Sequence, residues 1–516
     1  MTDTSFPGVI VVGAGPAGVT AAQTLLERGA EVLLLDAGDG PVFPPGFAED
    51  TPAPHETLSF AEFAGERRHR DPRVSPKFGT PTAQRIGQGF GERNQIASNG
   101  FHLFGAIAGG GLSTIWGGLA APYDDDDLRA FPFAAGDLQD SYATVGRRMG
   151  INGRATDVYP DIPDGLDLQP PLDLHPTARA VYDRYRARGG GSAVRMGPPL
   201  QAVLTRDRDG RRACDYRGTC LNGCANGAIY SAAFALDGLR RRAGLTYRPD
   251  TLVRTLTSEN GRWKLHTSDG IVEGRTVVLA AGTLATTRLV LASTAGDGKT
   301  VRLLHNPVVA AGYIAPSRLG APATARSFGM AQLAMQVAME PKGVPPAHAI
   351  LYSTFGLSTS ELAGHMPFST PTSVRVLATI REALVPMTCF FPGTASSTQV
   401  RLSGTGETAT LEISGGHDAG LERMIASARR TISRMLRRLG VYSLPGSLTL
   451  APPGADLHYT GTLPMGAFTD DRCRVLGTEG LYIVDGSVFP ELPARPCTFT
   501  IMAIADRAMR LIPLDA

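Results

Sequence analysis

Lysine is scarce in this 516-residue chain, occurring only at Lys77, Lys264, Lys299 and Lys342, so arginine carries nearly all of the positive charge. A bias of that size reads as the background of a GC-rich bacterial genome. Positive excess is missing too, because the formal net charge is only +2. That leaves no electrostatic footprint for a nucleic-acid partner. Long apolar runs are absent: no window reaches the roughly 18 residues a membrane-spanning helix needs. Met1 to Gly8 lacks the basic-then-apolar plan of a signal peptide. Six cysteines in so long a chain make no disulfide framework, and a reducing cytoplasm is the expected location. Hydrophobic residues make up 43% and charged residues 19%, enough to bury a sizeable core.

What is present begins at the first residues. Gly8 to Val12 is a short apolar run, and Ala17 to Arg28 has helical spacing with Val19, Ala22, Leu25 and Leu26 on one side. Glu31 to Asp36 is too apolar to alternate, as in a buried parallel strand. Between the first strand and the helix lies Gly13-Ala14-Gly15-Pro16-Ala17-Gly18. Gly13 permits a tight turn, Gly15 lets a pyrophosphate approach the backbone, and Gly18 lets helix and strand pack closely. The free N–H groups of the helix start favour phosphate, and Asp36 is placed to accept hydrogen bonds from a ribose diol. A dinucleotide-binding βαβ unit is expected. Thr276 to Ala280, the Ala281-Gly282 turn and Leu284 to Ala292 repeat the theme.

Pro41 to Gly100 has little periodicity and reads as an excursion. Gln332–Met339, Ala349–Phe355, Gln399–Ser403 and Thr408–Ser414 read as strands of one antiparallel sheet in a second domain. Leu421 to Leu439 has an apolar face at helical spacing beside many arginines. A helix lying on that sheet is expected ahead of a membrane-surface helix. The acidic run Asp124 to Asp127 reads as a solvated turn ahead of a cation site.

Toward the C-terminus stand His458-Tyr459-Thr460-Gly461-Thr462, then Leu481-Tyr482-Ile483-Val484-Asp485-Gly486-Ser487, then Thr498-Phe499-Thr500-Ile501-Met502-Ala503. With the glycine fingerprint and Arg288-Leu289-Val290-Leu291-Ala292-Ser293, these resemble the glucose–methanol–choline (GMC) oxidoreductase family. Gly109 to Trp116 looks like the flavin-facing loop of the family's pyranose 2-oxidase-like members. The resemblance implies an α/β fold: a Rossmann-like FAD-binding domain (1–125, 215–300 and 455–516) and an α+β substrate domain on an antiparallel sheet (126–214 and 301–454). It implies FAD held by Gly13, Gly15, Gly18, Asp36, Gly110, Gly111, Ser113, Thr114, Val253, Ala281, Asp485, Gly486 and Thr498. Pyranose oxidase carries a flavin-linking histidine where Ile115 stands here, so the flavin is expected to be non-covalent.

The resemblance makes His458 the base that takes the hydroxyl proton as hydride leaves an alcohol carbon. The donor would be a small polar alcohol, with a sugar, glycoside or polyol favoured, and oxygen or an external acceptor would receive the electrons. The family's second histidine or asparagine falls on Pro496, with Arg495 and Cys497 one residue to either side. That departure leaves a non-redox lyase or isomerase as the alternative. Cys214, Cys220 and Cys224 (C-x5-C-x3-C) are similar to the three-iron cluster site of bacterial FAD-dependent glucose dehydrogenases. An iron–sulfur cluster there is a further expectation.

Overall fold

The apolar runs near the N-terminus become a parallel sheet. In the computed structural model, which describes residues 6, 8–44, 75–294, 297–340, 343–357, 359–364 and 366–514, five strands lie in the order Leu481–Ile483, Thr276–Leu279, Val9–Val12, Val32–Leu35 and Leu245–Arg248. The central strand pairs Val9 to Val12 with Val32 to Leu35 on one side and with Thr276 to Leu279 on the other, both parallel. Such a strand is covered on both faces, which is why it reads as an unbroken apolar run. Helices Pro16–Glu27 and Thr498–Leu511 pack together, with Arg28 donating to the carbonyls of Met509 and Ile512. A three-stranded antiparallel meander, Val253–Glu259, Arg262–Thr267 and Gly270–Gly274, comes up against the central strand where Gly274 meets the Ile10 side chain.

The second layer system is a seven-stranded antiparallel sheet. Its main path runs Tyr442–Ser443, Val308–Ile314, Leu384–Phe390, Ala347–Tyr352, Ala331–Val337 and Val194–Gly197, with Thr449–Leu450 also on Val308–Ile314. Leu333, Met335, Ala349, Leu351, Met387 and Cys389 form one buried cluster with Leu421, Ala428, Ile432 and Leu436 of helix Leu421–Arg438. The arginine-rich helix therefore lies on the sheet, as its apolar face requires. Registers Gln336↔His348 and His348↔Phe390 put a polar and aromatic row on the opposite face.

One expectation is corrected. Gln399–Ser403 and Thr410–Ser414 do not join that sheet. They pair with each other, with Thr300–Arg302 and with Ile96–Asn99 in a separate four-stranded sheet. Alternation reports that a segment is a strand, but pairing is set by partners far away in sequence. The excursion also holds regular pieces among its described residues: helix Pro81–Gly87, capped by Thr80, and strand Ile96–Asn99. Residues 45–74 of it lie outside the described residues.

Candidate active site

The nucleotide cleft is shaped by backbone. Gly13 has φ +101°, and a Cβ there would lie 2.4 Å from the carbonyl oxygen of Ala280. At Gly18 a Cβ would lie 1.8 Å from the carbonyl oxygen of Gly13, so only glycine fits. Gly15 differs: its nearest neighbour is Gly111 Cα at 3.9 Å, leaving the space beside it open. The Gly109–Trp116 loop closes on this turn, since the Gly110 N–H donates to the Ala14 carbonyl at 2.8 Å. Ser113 donates to the Gly110 carbonyl (2.6 Å) and Thr114 to that of Gly111 (3.0 Å), locking the loop. Trp116 Nε1 donates to the Tyr230 carbonyl, so this indole is a structural anchor. An open cleft of about 700 Å³ runs past Gly13, Asp36, Gly38, Arg93, Val253 and Ala281.

Both cleft carboxylates are occupied by the chain itself. Asp36 accepts from the Ala14 N–H (2.6 Å) and the Gly38 N–H (2.9 Å), and its burial raises its pKa. Asp485 accepts from the Gly282 N–H, the Thr286 hydroxyl, and both the N–H and hydroxyl of Ser487. Four bonds fill its acceptor sites, so what this turn offers a ligand is the backbone of Asp485 and Gly486. Thr498 opens the helix Thr498–Leu511, whose first N–H groups and positive dipole end point out of the C-terminal segment.

His458 stands next to this cleft. Thr283, on the second βα turn, donates its hydroxyl to the Tyr459 carbonyl at 2.5 Å, fastening the histidine's segment to the cleft wall. Leu457 just before it has φ +65°, a left-handed conformation that strains a branched residue. Phe390 stacks on the imidazole at 5.4 Å between ring centres. His458 Nδ1 lies 2.9 Å from Asn306 Oδ1, and its backbone N–H donates to Asp456 Oδ2 at 3.0 Å. Asp456 also accepts from His305 Nδ1 (3.0 Å) and from the Asn306 N–H (3.0 Å). The side chain of Asp456 is 1% exposed and that of His305 is fully buried. Burial alone would raise Asp456, yet His305 and the surrounding donors hold it below the usual carboxylate value. Burial lowers His458 below an ordinary histidine, with Asp456 opposing and the charges of Lys77 and His305 reinforcing the shift. Lys77 is itself brought down to about 8 by burial.

Pro496, where the resemblance puts the family's second histidine or asparagine, is buried, as is Cys497 after it. Arg495 offers no free charge: Asp124 (2.7 Å) and Asp127 (2.8 Å) pair with its guanidinium. The acidic run is thus corrected from a solvated turn. Asp125 and Asp126 are exposed, but Asp127 is buried because Arg495 neutralises it. His348 comes from the seven-stranded sheet, its Nε2 3.2 Å from the Tyr159 hydroxyl and its pKa pushed down to about 3 by burial. Sequence reasoning missed Asn306, His305, His348 and Lys77. Asp456, two residues before His458, was the one visible signal.

The cysteines do meet, without a metal geometry. Cys214, Cys220 and Cys224 are free thiols packed with Val203, Leu204, Ile229 and Phe328. Burial raises Cys214 to about 12 and Cys220 higher still, so both are protonated thiols in this structure. Among the described residues, no group of three or more His, Cys, Asp or Glu is arranged to hold a metal ion. The cluster expectation therefore lacks structural support. Cys220 and Cys224 instead line a second cleft of about 380 Å³ with Ser113, Ile115 and Trp116.

Comparison with known proteins bears on this geometry. The GMC oxidoreductase family model (its C-terminal part) matches residues 417–505, which include His458, Asp485 and Thr498. In that C-terminal segment the chain is similar to GMC oxidoreductases. An NAD(P)-binding Rossmann-like domain model matches residues 11–43. A protein of Rhodococcus erythropolis described as an uncharacterized GMC-type oxidoreductase is 42% identical over 65 residues, 11% of this chain. That match spans 13% of the relative's length. Pyridoxine 4-oxidase from Mesorbium loti has the same fold, with a TM-score of 0.61 and 19% identity across 98% of this chain and 99% of that one. The GMC family implies FAD. The cleft fits it: space is kept open at Gly15, and Cβ-intolerant glycines bring the backbone to where a pyrophosphate would lie. Among the described residues no helix is long and apolar enough to cross a membrane.

Proposed function

We propose that this chain is a GMC oxidoreductase that binds FAD non-covalently and oxidises the alcohol carbon of a small polar substrate to a carbonyl, with His458 as the base. The observation that carries this reading is the buried imidazole of His458, its pKa lowered by burial, its Nδ1 engaged by Asn306 Oδ1 and its segment tied by Thr283 to the wall of the glycine-turn cleft. FAD supplies the hydride acceptor when bound. Gly13, Gly15 and Gly18 would hold its pyrophosphate, Asp36 and Val253 would border the adenosine half, and Ala281 would lie beside it. Gly110, Gly111, Ser113, Thr114, Asp485, Gly486 and Thr498 would border the ring. Ile115 has no nucleophile to link it covalently.

His458 Nε2 takes the hydroxyl proton as the hydride departs, and Asp456 compensates the positive charge that the imidazole acquires. Phe390 stacks on the ring and limits its rotation. Because Pro496 neither donates nor accepts through its side chain, the substrate oxygen meets one imidazole here in place of a pair.

Three substrate pointers come together. The resemblance to pyranose oxidase and glucose dehydrogenase favours a sugar, glycoside or polyol. The fold neighbour is named for pyridoxine, which favours a hydroxymethyl group on an aromatic ring. The sheet face bearing Gln336, His348 and Phe390 has polar and aromatic groups for either. Electrons would pass from the flavin to oxygen or to an external acceptor. Pro496 also keeps a non-redox lyase or isomerase in view. Anaerobic mixing with a panel of sugars, polyols and pyridoxine separates these readings. Bleaching of the yellow flavin band is the expected result, and turnover with the flavin oxidised throughout overturns it. Iron analysis checks the cysteines: iron-free active protein is expected, and about three irons per flavin would reinstate the cluster.

A further inference from the structure

Asn306 is fully buried, and every polar atom of its side chain is used. Its Nδ2 donates to two carbonyls, Phe391 at 2.8 Å and Pro493 at 3.0 Å. Turning the amide over would set its oxygen against both carbonyl oxygens, so the orientation is fixed by chemistry. Oδ1, an acceptor only, then faces His458 Nδ1 at 2.9 Å. A neutral imidazole carries one N–H, and an acceptor-only partner at Nδ1 requires that proton to be there. We infer that Asn306 is the positioning residue that locks His458 as the Nδ1–H tautomer, leaving the lone pair of Nε2 for the substrate hydroxyl.

This rests on the reading of His458 as the base and explains how one imidazole serves without a partner at Pro496. Without Asn306 the two tautomers would compete, and the Nε2–H form presents a proton where the substrate needs an acceptor. The backbone reinforces the lock. Asp456 Oδ2 accepts from the N–H of both Asn306 and His458, so one carboxylate holds the two residues in register. His305 in turn holds the other oxygen of that carboxylate. Loop and strand end are fixed together before any substrate arrives.

The test is the protonation of His458 in the FAD-loaded protein labelled with 15N-histidine, its resonances assigned by loss in His458→Gln. The expected spectrum at pH 8 has a protonated Nδ1 and a bare, pyridine-type Nε2, with the minor tautomer below about a tenth, the bias one hydrogen bond gives. In Asn306→Ala the Nε2–H population should rise about tenfold or more. A wild-type spectrum with the proton on Nε2 overturns the inference. So does an Asn306→Ala spectrum like that of the wild type. If Asn306→Ala does not fold, the wild-type spectrum alone decides. The reading of His458 as base fails separately, if His458→Ala bleaches its flavin with alcohol as fast as wild type.

Discussion

The glycine-turn cleft is made of backbone, while the surroundings of His458 are made of side chains, and the two are exposed to different injuries. At Gly13 and Gly18 the chain approaches itself so closely that a single methyl group has nowhere to go. Around His458 the spacing is ordinary, and what matters is which atom carries a proton. The cleft carboxylates Asp36 and Asp485 accept mainly from loop N–H groups and hydroxyls and so give shape. Asp456 accepts from the histidine's own segment and from His305, so it adds charge as well as shape. The lesson is that equally buried carboxylates do different work according to what they face.

The sharpest way to separate the two regions is His458→Ala. Flavin reduction by alcohol should slow by on the order of 10²–10⁴ in stopped-flow traces, while bound FAD stays at the wild-type ratio. Gly18→Ala should do the reverse. Its Cβ would meet the Gly13 carbonyl, and a loss of about 3 kcal/mol or more is expected, seen as colourless or insoluble protein. If Gly18→Ala keeps FAD and stability, the cleft is not built by close approach.

Next in size is Asp456→Asn. The wild-type acid limb of kcat/KM should fall below pH 6.5, because burial lowers His458 and only the neutral ring acts as base. Asp456 opposes that lowering, so its removal should move the limb about one unit further toward acid and reduce the plateau roughly tenfold. A limb that moves upward would contradict the electrostatic assignment.

The effect confined to acid pH concerns His348, buried neutral with its pKa near about 3. A folded pKa below the unfolded value contributes stability that is present above pH 6.5 and is lost as pH falls toward the folded pKa. His348→Gln should flatten the decline of unfolding free energy between pH 6.5 and 4 by about 1.4 kcal/mol per pH unit relative to wild type. Parallel curves for the two proteins would mean that His348 is not held neutral.

Much of the cleft was legible in the chain because its features are local. A strand, a glycine turn and a helix announce themselves within a few dozen residues, and Asp36 ends the next strand. The family resemblance added the C-terminal turns that complete the wall. The histidine's surroundings were legible only at His458. Asn306 lies 152 residues away from it in sequence, and its role depends on carbonyls of Phe391 and Pro493 that no spacing rule connects. Pairing errors have the same origin: Gln399–Ser403 shows its strand character locally, but its partners Thr300–Arg302 and Thr410–Ser414 are chosen by the fold. Asp127 looked solvated because Arg495, which neutralises it, is far along the chain.

A crystal structure of the FAD complex tests the central claim most directly, through the position of His458 relative to the flavin. The account predicts that Nε2 of His458 faces N5 of the ring with room between them for one carbinol group, and that the pyrophosphate lies on Gly15. A flavin ring on another face of the molecule from His458, or a pyrophosphate away from the Gly13–Gly18 turn, would contradict it.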